Sequence, residues 1–394
     1  MSLVAVVKNE SIYEATCKAL EKLDVNLDGN ILIKPNLVMD VSLYRRACTN
    51  PEVIEAIIDF IESNGGKAFV GESSMVGCDT LRAYEKSGLK EVCEKKRIKF
   101  IDFNRCKPIK INIKGEFIKE IIVAKDLLNF DKILSVPVMK THVLTGVTLS
   151  LKNMKGIQYR NEKIRLHSHG MKMLHVGIVD IVSHFKPYMA VIDASYAQEG
   201  EGPIGGDIIK MDLIIASKDC VAADATACRI MGINPHGIAH IKMAWKRGLG
   251  EIDDIEIVGD DINKIKRKFK HPLLGIKRAK YKFLDFGMDI LAKLKGTSEE
   301  DRAYKILMET METKPYITKL CKKCKKCVEI CPNNAIDEDT IRINYEKCKA
   351  CMICMEACPF NAIKSKEISV LKASKEIVVT LTRAGIKAIF GKLR

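Results

Sequence analysis

At 394 residues, with 47% hydrophobic and 29% charged residues, the chain has room for two or three domains and the composition of globular rather than disordered or fibrous protein. No apolar run approaches the ~20 residues of a membrane span, and Met1–Glu10 lacks a basic stretch followed by an apolar one, so a cytoplasmic protein without a secretory leader is expected. The net charge of +15 resides in two stretches, Ile262–Lys295 and Lys364–Arg394; without aromatic interleaving, and with Trp245 the one tryptophan, no specific nucleic-acid partner is expected.

Through the first 260 residues, short apolar strands alternate with helical patterns. Strands are expected at Leu3–Val7, Ile31–Lys34, Lys67–Val70, Ile98–Phe103, Lys132–Val136, Met189–Ile192 and Leu213–Ala216. Helices are expected at Glu14–Leu23, Pro51–Asn64, Thr80–Glu94, Leu174–Phe185, Ala222–Met231 and His236–Lys246. Asn50 before Pro51 supplies a helix N-cap and Gly65-Gly66 a stop, while Ile109–Val123 reads as a hairpin on the sheet edge. The alternation predicts an α/β domain over 1–261, a parallel or mixed sheet with helices on both faces. A lysine-rich linker with short helices (262–314), a small α+β domain (315–365) and a basic amphipathic tail (366–394) complete the expected organisation.

The small domain carries the most specific signal. Fifteen cysteines in a cytoplasmic chain point to metal or redox work rather than disulfides. Eight form two copies of C-x2-C-x2-C-x3-C-P, at Cys321, Cys324, Cys327, Cys331 and at Cys348, Cys351, Cys354, Cys358, which is the bacterial two-cluster ferredoxin pattern. Three cysteines at i, i+3 and i+6 wrap a tight loop around one [4Fe–4S] cubane, and the fourth crosses to the other. The expected ligand sets are therefore Cys321, Cys324, Cys327 and Cys358 for one cluster, and Cys348, Cys351, Cys354 and Cys331 for the other. A zinc ribbon would use four of these cysteines and leave the rest, with both prolines, unexplained. Lys322, Lys323, Lys325 and Lys326 crowd the first motif, whereas only Lys347 and Lys349 adjoin the second.

Several polar segments of the larger domain fall where strands should end. They are KPNLV at 34–38, CTNPEV at 48–53, GESS at 71–74, PVMKTH at 137–142, TLSLKNMKG at 148–156, GEGPIGG at 200–206 and DCVAADA at 219–225. Taken in order they resemble the domain-of-unknown-function-362 family, fused here to a ferredoxin module. The resemblance implies the fold and a redox association but no particular reaction. It departs at Asp193-Ala194-Ser195, where an acidic residue is expected soon after Asp193.

Open α/β sheets bind ligands beyond the carboxyl ends of their strands. Lys34, Lys140, Lys152 and Lys155 converging there would bind phosphate or carboxylate, with Asn36 and Asn153 as neutral orienting donors. Lys140 or His142 could donate a proton to a substrate being reduced. His167, His169, His175 and His184 lack the spacing of a shared metal site and are expected to be structural. Two functions fit: an iron–sulfur redox protein passing electrons through two [4Fe–4S] clusters to an anionic small molecule, or a non-catalytic carrier docking to a larger redox complex. Either implies a low-potential electron donor or acceptor protein as partner, and the basic segments additionally suit peripheral contact with an anionic membrane.

Overall fold

The computed structural model describes residues 1–38, 46–200, 202–271 and 314–365. Most of the expected linker (272–313) and the whole expected tail (366–394) lie outside the described residues.

The strands of the larger body are β1 (Ser2–Lys8), β2 (Asn30–Lys34), β3 (Lys67–Glu72), β4 (Phe100–Asp102), β5 (Pro108–Asn112), β6 (Glu120–Ala124), β7 (Lys132–Ser135), β8 (Val138–His142), β9 (Gly146–Thr148), β10 (Met189–Glu199), β11 (Asp207–Ser217) and β12 (Ile255–Gly259). Its helices are α1 (Ile12–Glu21), α2 (Pro51–Ser63), α3 (Thr80–Ser87), α4 (Leu89–Lys95), α5 (Ser150–Asn153), α6 (Arg160–Ser168), α7 (Gly170–His184), α8 (Cys220–Ile230), α9 (Ala239–Lys246) and α10 (Ile262–Ile265). Among the described residues a ten-stranded mixed sheet runs in the order β12-β1-β11-β10-β7-β2-β3-β4, with β8 and β9 attached through β10. β7, β2, β3 and β4 are mutually parallel, and β11 lies antiparallel to both β1 and β10.

Successive strand residues feed opposite faces, as the period of two requires. Val4 and Val6 join the core that contains α7, α8 and α9, while Ala5 and Val7 join the core under α1 to α4. Ile192 and Ile215 divide from Val191 and Ile214 in the same way. Because both faces are covered, the strands read as continuous apolar runs.

Three expectations are corrected in detail. The helix expected over Thr80–Glu94 is two helices, because Gly88 adopts φ +87° and ends α3 in a left-handed cap. The strands expected at Met189–Ile192 and Leu213–Ala216 are the start of one eleven-residue strand and the end of another, paired along almost their full length. The Ile109–Val123 hairpin forms its own two-stranded sheet rather than joining the main edge.

The C-terminal module contains β13 (Pro315–Ile317), α11 (Lys326–Glu329), α12 (Ile353–Ala357) and β14 (Ile363–Ser365), with β13 and β14 antiparallel. Its two halves repeat at the backbone level. Left-handed φ values occur at Lys323, Lys325 and Asn334, and again at Ala350, Met352 and Asn361, which occupy the same places in the second motif. The backbone N–H of Ala335 donates to Cys331 Sγ, and that of Ala362 donates to Cys358 Sγ. The module seats on the larger body through Ile330, Ile353 and Ala357, which pack against Val76 with Ile164 and Cys351 alongside. The seam is close: a Cβ placed on Gly77 would stand 2.9 Å from the Ala357 Cβ.

Candidate functional site

The carboxyl ends of β2 and β3 deliver Lys34 and Glu72 to a pocket of about 550 Å³, open solvent included, whose other walls come from β8, α5 and α6. All seven residues expected there, Lys34, Asn36, Lys140, His142, Lys152, Asn153 and Lys155, line this one pocket. It also draws in Ser73, Thr148, Lys163 and His167, and Glu356, which reaches across from α12 of the C-terminal module.

The family-like segments turn out to be the joints of this pocket. Thr49 Oγ1 donates to the Val136 carbonyl (2.8 Å) and accepts from the Asn36 backbone (2.7 Å), tying two of them to the residue that precedes a third. Asn50 caps α2 through Glu52 N–H, and its own N–H donates to Asp193 Oδ2 (2.7 Å). Asp193 is thus occupied as a buried backbone and Ser195 acceptor. Asp224 of α8 anchors α5: its carboxylate accepts Ser150 N–H (2.7 Å), Ser150 Oγ–H (2.6 Å) and Leu151 N–H (3.1 Å). α5 in turn carries Lys152 and Asn153 into the pocket. Gly156 passes over the Lys34–Glu72 pair so closely that a Cβ there would overlap Glu72 Oε1 and Lys34 Nζ.

The floor of the pocket is a dry ion pair. Lys34 Nζ lies 2.7 Å from Glu72 Oε2, both side chains at most 2% exposed, and also donates to Asn153 Oδ1 (3.1 Å) and the Pro35 carbonyl (2.9 Å). Burial drives both groups toward their neutral forms, and each partner's charge opposes that drift. Lys140, fully buried, donates to Asn36 Oδ1 (2.7 Å) and the Ala47 carbonyl (2.9 Å). Lys163 donates to Ser73 Oγ (2.7 Å) and to the Ser73 and Ser74 carbonyls, and Lys155 Nζ sits 2.6 Å from His167 Nε2. Lys152 donates no hydrogen bond to any described residue.

Five lysines therefore face two glutamates, an excess of three positive charges when all are ionised. Burial pulls the ammonium pKa of Lys140, Lys155 and Lys163 down to about 7, and that of Lys152 to about 8. His142 Nδ1 accepts the backbone N–H groups of Leu144 (3.1 Å) and Thr145 (3.3 Å), which leaves its hydrogen on Nε2, 3.2 Å from Glu356 Oε1 but misaligned for a good bond. Burial lowers His142 and His167 to about 3, so both rings are neutral at pH 7. Burial opposes ionisation of Glu356 as well, but its neighbours His167 and His142, and after them Lys152, hold its carboxyl well below the usual range. Among the described residues the Thr148 hydroxyl, His142 Nε2 and His167 Nδ1 are buried without a hydrogen-bond partner, and all three residues line the pocket.

The remaining histidines stand apart. His175 and His240 stack with their Nδ1 atoms 3.1 Å apart, and His169 Nδ1 meets the Arg165 carbonyl at 2.7 Å.

Half of the chain, residues 31–229, matches the family described as domain of unknown function (DUF362). The chain belongs to that family. Residues 315–337 and 341–364 match the 4Fe-4S binding domain, so the DUF362 body carries an iron–sulfur electron-transfer module. The thylakoid-associated protein sll1697 of Synechocystis sp. is 25% identical over 222 residues, 56% of this chain and 68% of that protein. Among solved structures, the lactate racemase apoprotein of Thermoanaerobacterium thermosaccharolyticum overlays with a TM-score of 0.41 at 11% identity, over 59% of this chain and 58% of that one. The chain thus spans less than two thirds of that structure's length. No helix among the described residues is long and apolar enough to cross a membrane.

The module's cysteines fit its cofactor. Cys321, Cys324, Cys327 and Cys358 line a single cavity of about 330 Å³, walled by Ile317, Ile341, Phe360 and Ile363. Cys331, Cys348, Cys351 and Cys354 are likewise mutual neighbours. Four thiols around one cavity, with backbone N–H groups aimed at sulfur, is the donor set an iron–sulfur cubane requires. Four ionisable pocket residues escape the sequence reading of the site: Glu72 stands there only as part of the GESS segment, and the other three each have their own reason. Lys163 and His167 lie on α6, whose apolar periodicity is too weak to mark it as a helix, and Glu356 sits inside a cysteine motif that accounts for itself without a pocket.

Proposed function

We propose that the protein passes electrons through two [4Fe–4S] clusters to an anionic small molecule held in the DUF362 pocket. Cys321, Cys324, Cys327 and Cys358 would hold one cluster and Cys348, Cys351, Cys354 and Cys331 the other, each supplying one-electron redox chemistry when bound. The observation that carries the reading is Glu356: it stands between Cys354 and Cys358 and also walls the lysine-rich pocket, so one short helix belongs to both.

Lys152 has no hydrogen bond to a described residue to give up, so it takes the substrate's charge first, with Lys155 and the Thr148 hydroxyl beside it. Lys34 and Asn153 form a braced floor rather than a mobile contact. Neutral His142 offers Nε2–H as a hydrogen bond and has no second proton to transfer at neutral pH. Lys140, with an ammonium near pH 7, is the group suited to deliver a proton to a substrate gaining electrons. Docking alone would not require five lysines buried around one cavity, which is why this reading is favoured over a non-catalytic carrier.

The test uses anaerobic, cluster-loaded protein reduced with dithionite and desalted. Stopped-flow reoxidation is followed on adding candidate phosphorylated or carboxylated acceptors, in wild type and in Lys152→Ala. An acceptor that speeds reoxidation in wild type but not in the variant supports the function. Equal rates in both for every acceptor that binds would leave only the carrier role.

A further inference from the structure

The two halves of the C-terminal module share a backbone but present opposite side chains. At the places where the second motif has Met352 and Ile353, 3% and 1% exposed, the first has Lys325 and Lys326. Where the second has Ala350, the first has exposed Lys323. The second loop is apolar because it meets the DUF362 body, where Ile353 and Ala357 pack on Val76. Of the first motif, Ile330 reaches that seam, and its loop 321–327 has no such neighbour among the described residues. Lys319, Leu320, Lys322, Lys323, Cys324 and Lys325 are all exposed, Leu320 at 59%, and Phe360 stands 43% exposed over the same cavity.

We infer that this lysine-ringed face, centred on Cys324, is the docking surface for an acidic electron-carrier protein. Two observations choose the partner's chemistry. The first is charge: the ring is cationic, and Glu338, paired with Lys325 at 3.0 Å, offsets one lysine of it. Charge complementarity of this kind steers association and fixes orientation more than it adds affinity. The second is exposed apolar surface: Phe360 lines the same cavity as Lys322, Lys323 and Lys325, and exposed Leu320 adjoins Cys321 in the chain. A patch that joins apolar and charged side chains suits transient protein–protein contact rather than simple counterion binding. An acidic carrier seated here would sit over Cys324, the exposed member of its thiol set. Electrons would then arrive at the open half of the module and leave by the half packed on the body. The inference rests on the electron-transfer reading of the module, not on the identity of the pocket's substrate.

The test is direct binding of a small acidic two-cluster ferredoxin to the full-length, cluster-loaded protein, measured by interferometry between 20 and 300 mM salt. Wild type should bind with a dissociation constant that weakens at least tenfold across that range. Lys319→Gln/Lys322→Gln/Lys323→Gln should weaken low-salt binding about tenfold or more, with the visible absorbance of the clusters retained. The control Lys347→Gln/Lys349→Gln, which removes exposed charge from the second half, should bind like wild type. Equal loss in both sets, or no loss in the first, would overturn the proposal. If the first set fails to hold its clusters, hydrogen exchange of wild type decides: protection on 319–326 in the complex supports the face, and its absence refutes it. Anionic vesicles are the comparison arm, and loss of vesicle binding rather than ferredoxin binding in the first set would also refute it. Substrate reduction enters none of these readouts, so failure of the pocket reading would leave the result standing, and the reverse.

Discussion

Filling the pocket with an anion should make the protein take up protons, in an amount set by its lysines. With pKa values of about 7 for Lys140 and Lys155 and about 8 for Lys152, the three together lack roughly two protons at pH 8 and about 0.2 at pH 6. A dianion within contact distance favours the charged form of each and restores those protons. Binding should therefore absorb about two protons at pH 8 and almost none at pH 6, and affinity should fall as pH rises, because the competent state is the protonated one. The empty protein behaves oppositely. Unfolded lysines titrate near 10.4, so below pH 7 both states hold their protons; above it the folded state sheds them first, and stability rises with pH, on the order of 1 kcal/mol per unit for each such lysine. Sulfate is the probe, since its charge is constant between pH 6 and 8. Isothermal titration in two buffers of different ionisation enthalpy counts the protons, and melting curves with and without sulfate check the opposing slopes. Heat independent of buffer at pH 8 would mean that the lysines carry ordinary pKa values or do not meet the anion, and the electrostatic account of the pocket would fall.

Removing one partner of the dry pair, in Lys34→Met, should cost about 3–5 kcal/mol in denaturant unfolding, because Glu72 is left buried and unpaired; a loss under 1 kcal/mol would show the pair to be solvated. Gly156→Ala should destabilise by roughly 1–3 kcal/mol and abolish the sulfate-induced rise in melting temperature, since the added methyl overlaps the Lys34–Glu72 pair. Asp224→Asn should leave cluster absorbance intact but weaken anion binding by releasing α5, read as a smaller melting shift at saturating sulfate. Cys358→Ala should perturb the cluster bound by Cys321, Cys324 and Cys327, and Cys331→Ala the other, distinguishable by electron paramagnetic resonance of the reduced protein.

The pocket was legible where chemistry followed a strand. Lys34, Asn36, Lys140, His142, Lys152, Asn153 and Lys155 stand out because polar residues directly after apolar runs mark strand ends, and strand ends in such sheets converge. Their protonation was not legible, since it depends on burial: a buried lysine and a surface lysine look alike in sequence. The β8–β9 hairpin was hidden because Val138–His142 reads as a loop continuing β7, although it pairs back on β10 and turns Lys140 and His142 inward. Glu356 was beyond reach, because its place depends on how the C-terminal module sits on the body, and no local pattern records that. The break at Gly88 is the converse case: a single left-handed residue was visible as a glycine but not as a helix end.

The seam at Gly77 has a further consequence for how replaceable the module is. A Cβ there would stand 2.9 Å from Ala357, and one on Gly205 would overlap the Asn361 side chain. The iron–sulfur module is therefore fitted to its body the way a subunit is, not hung from it like a tag. An unrelated ferredoxin of equal potential, spliced onto the same chain, would lack the matching alanine at the seam and the glutamate that closes the pocket wall. Interchangeability stops at the cofactor; the protein around it is bespoke.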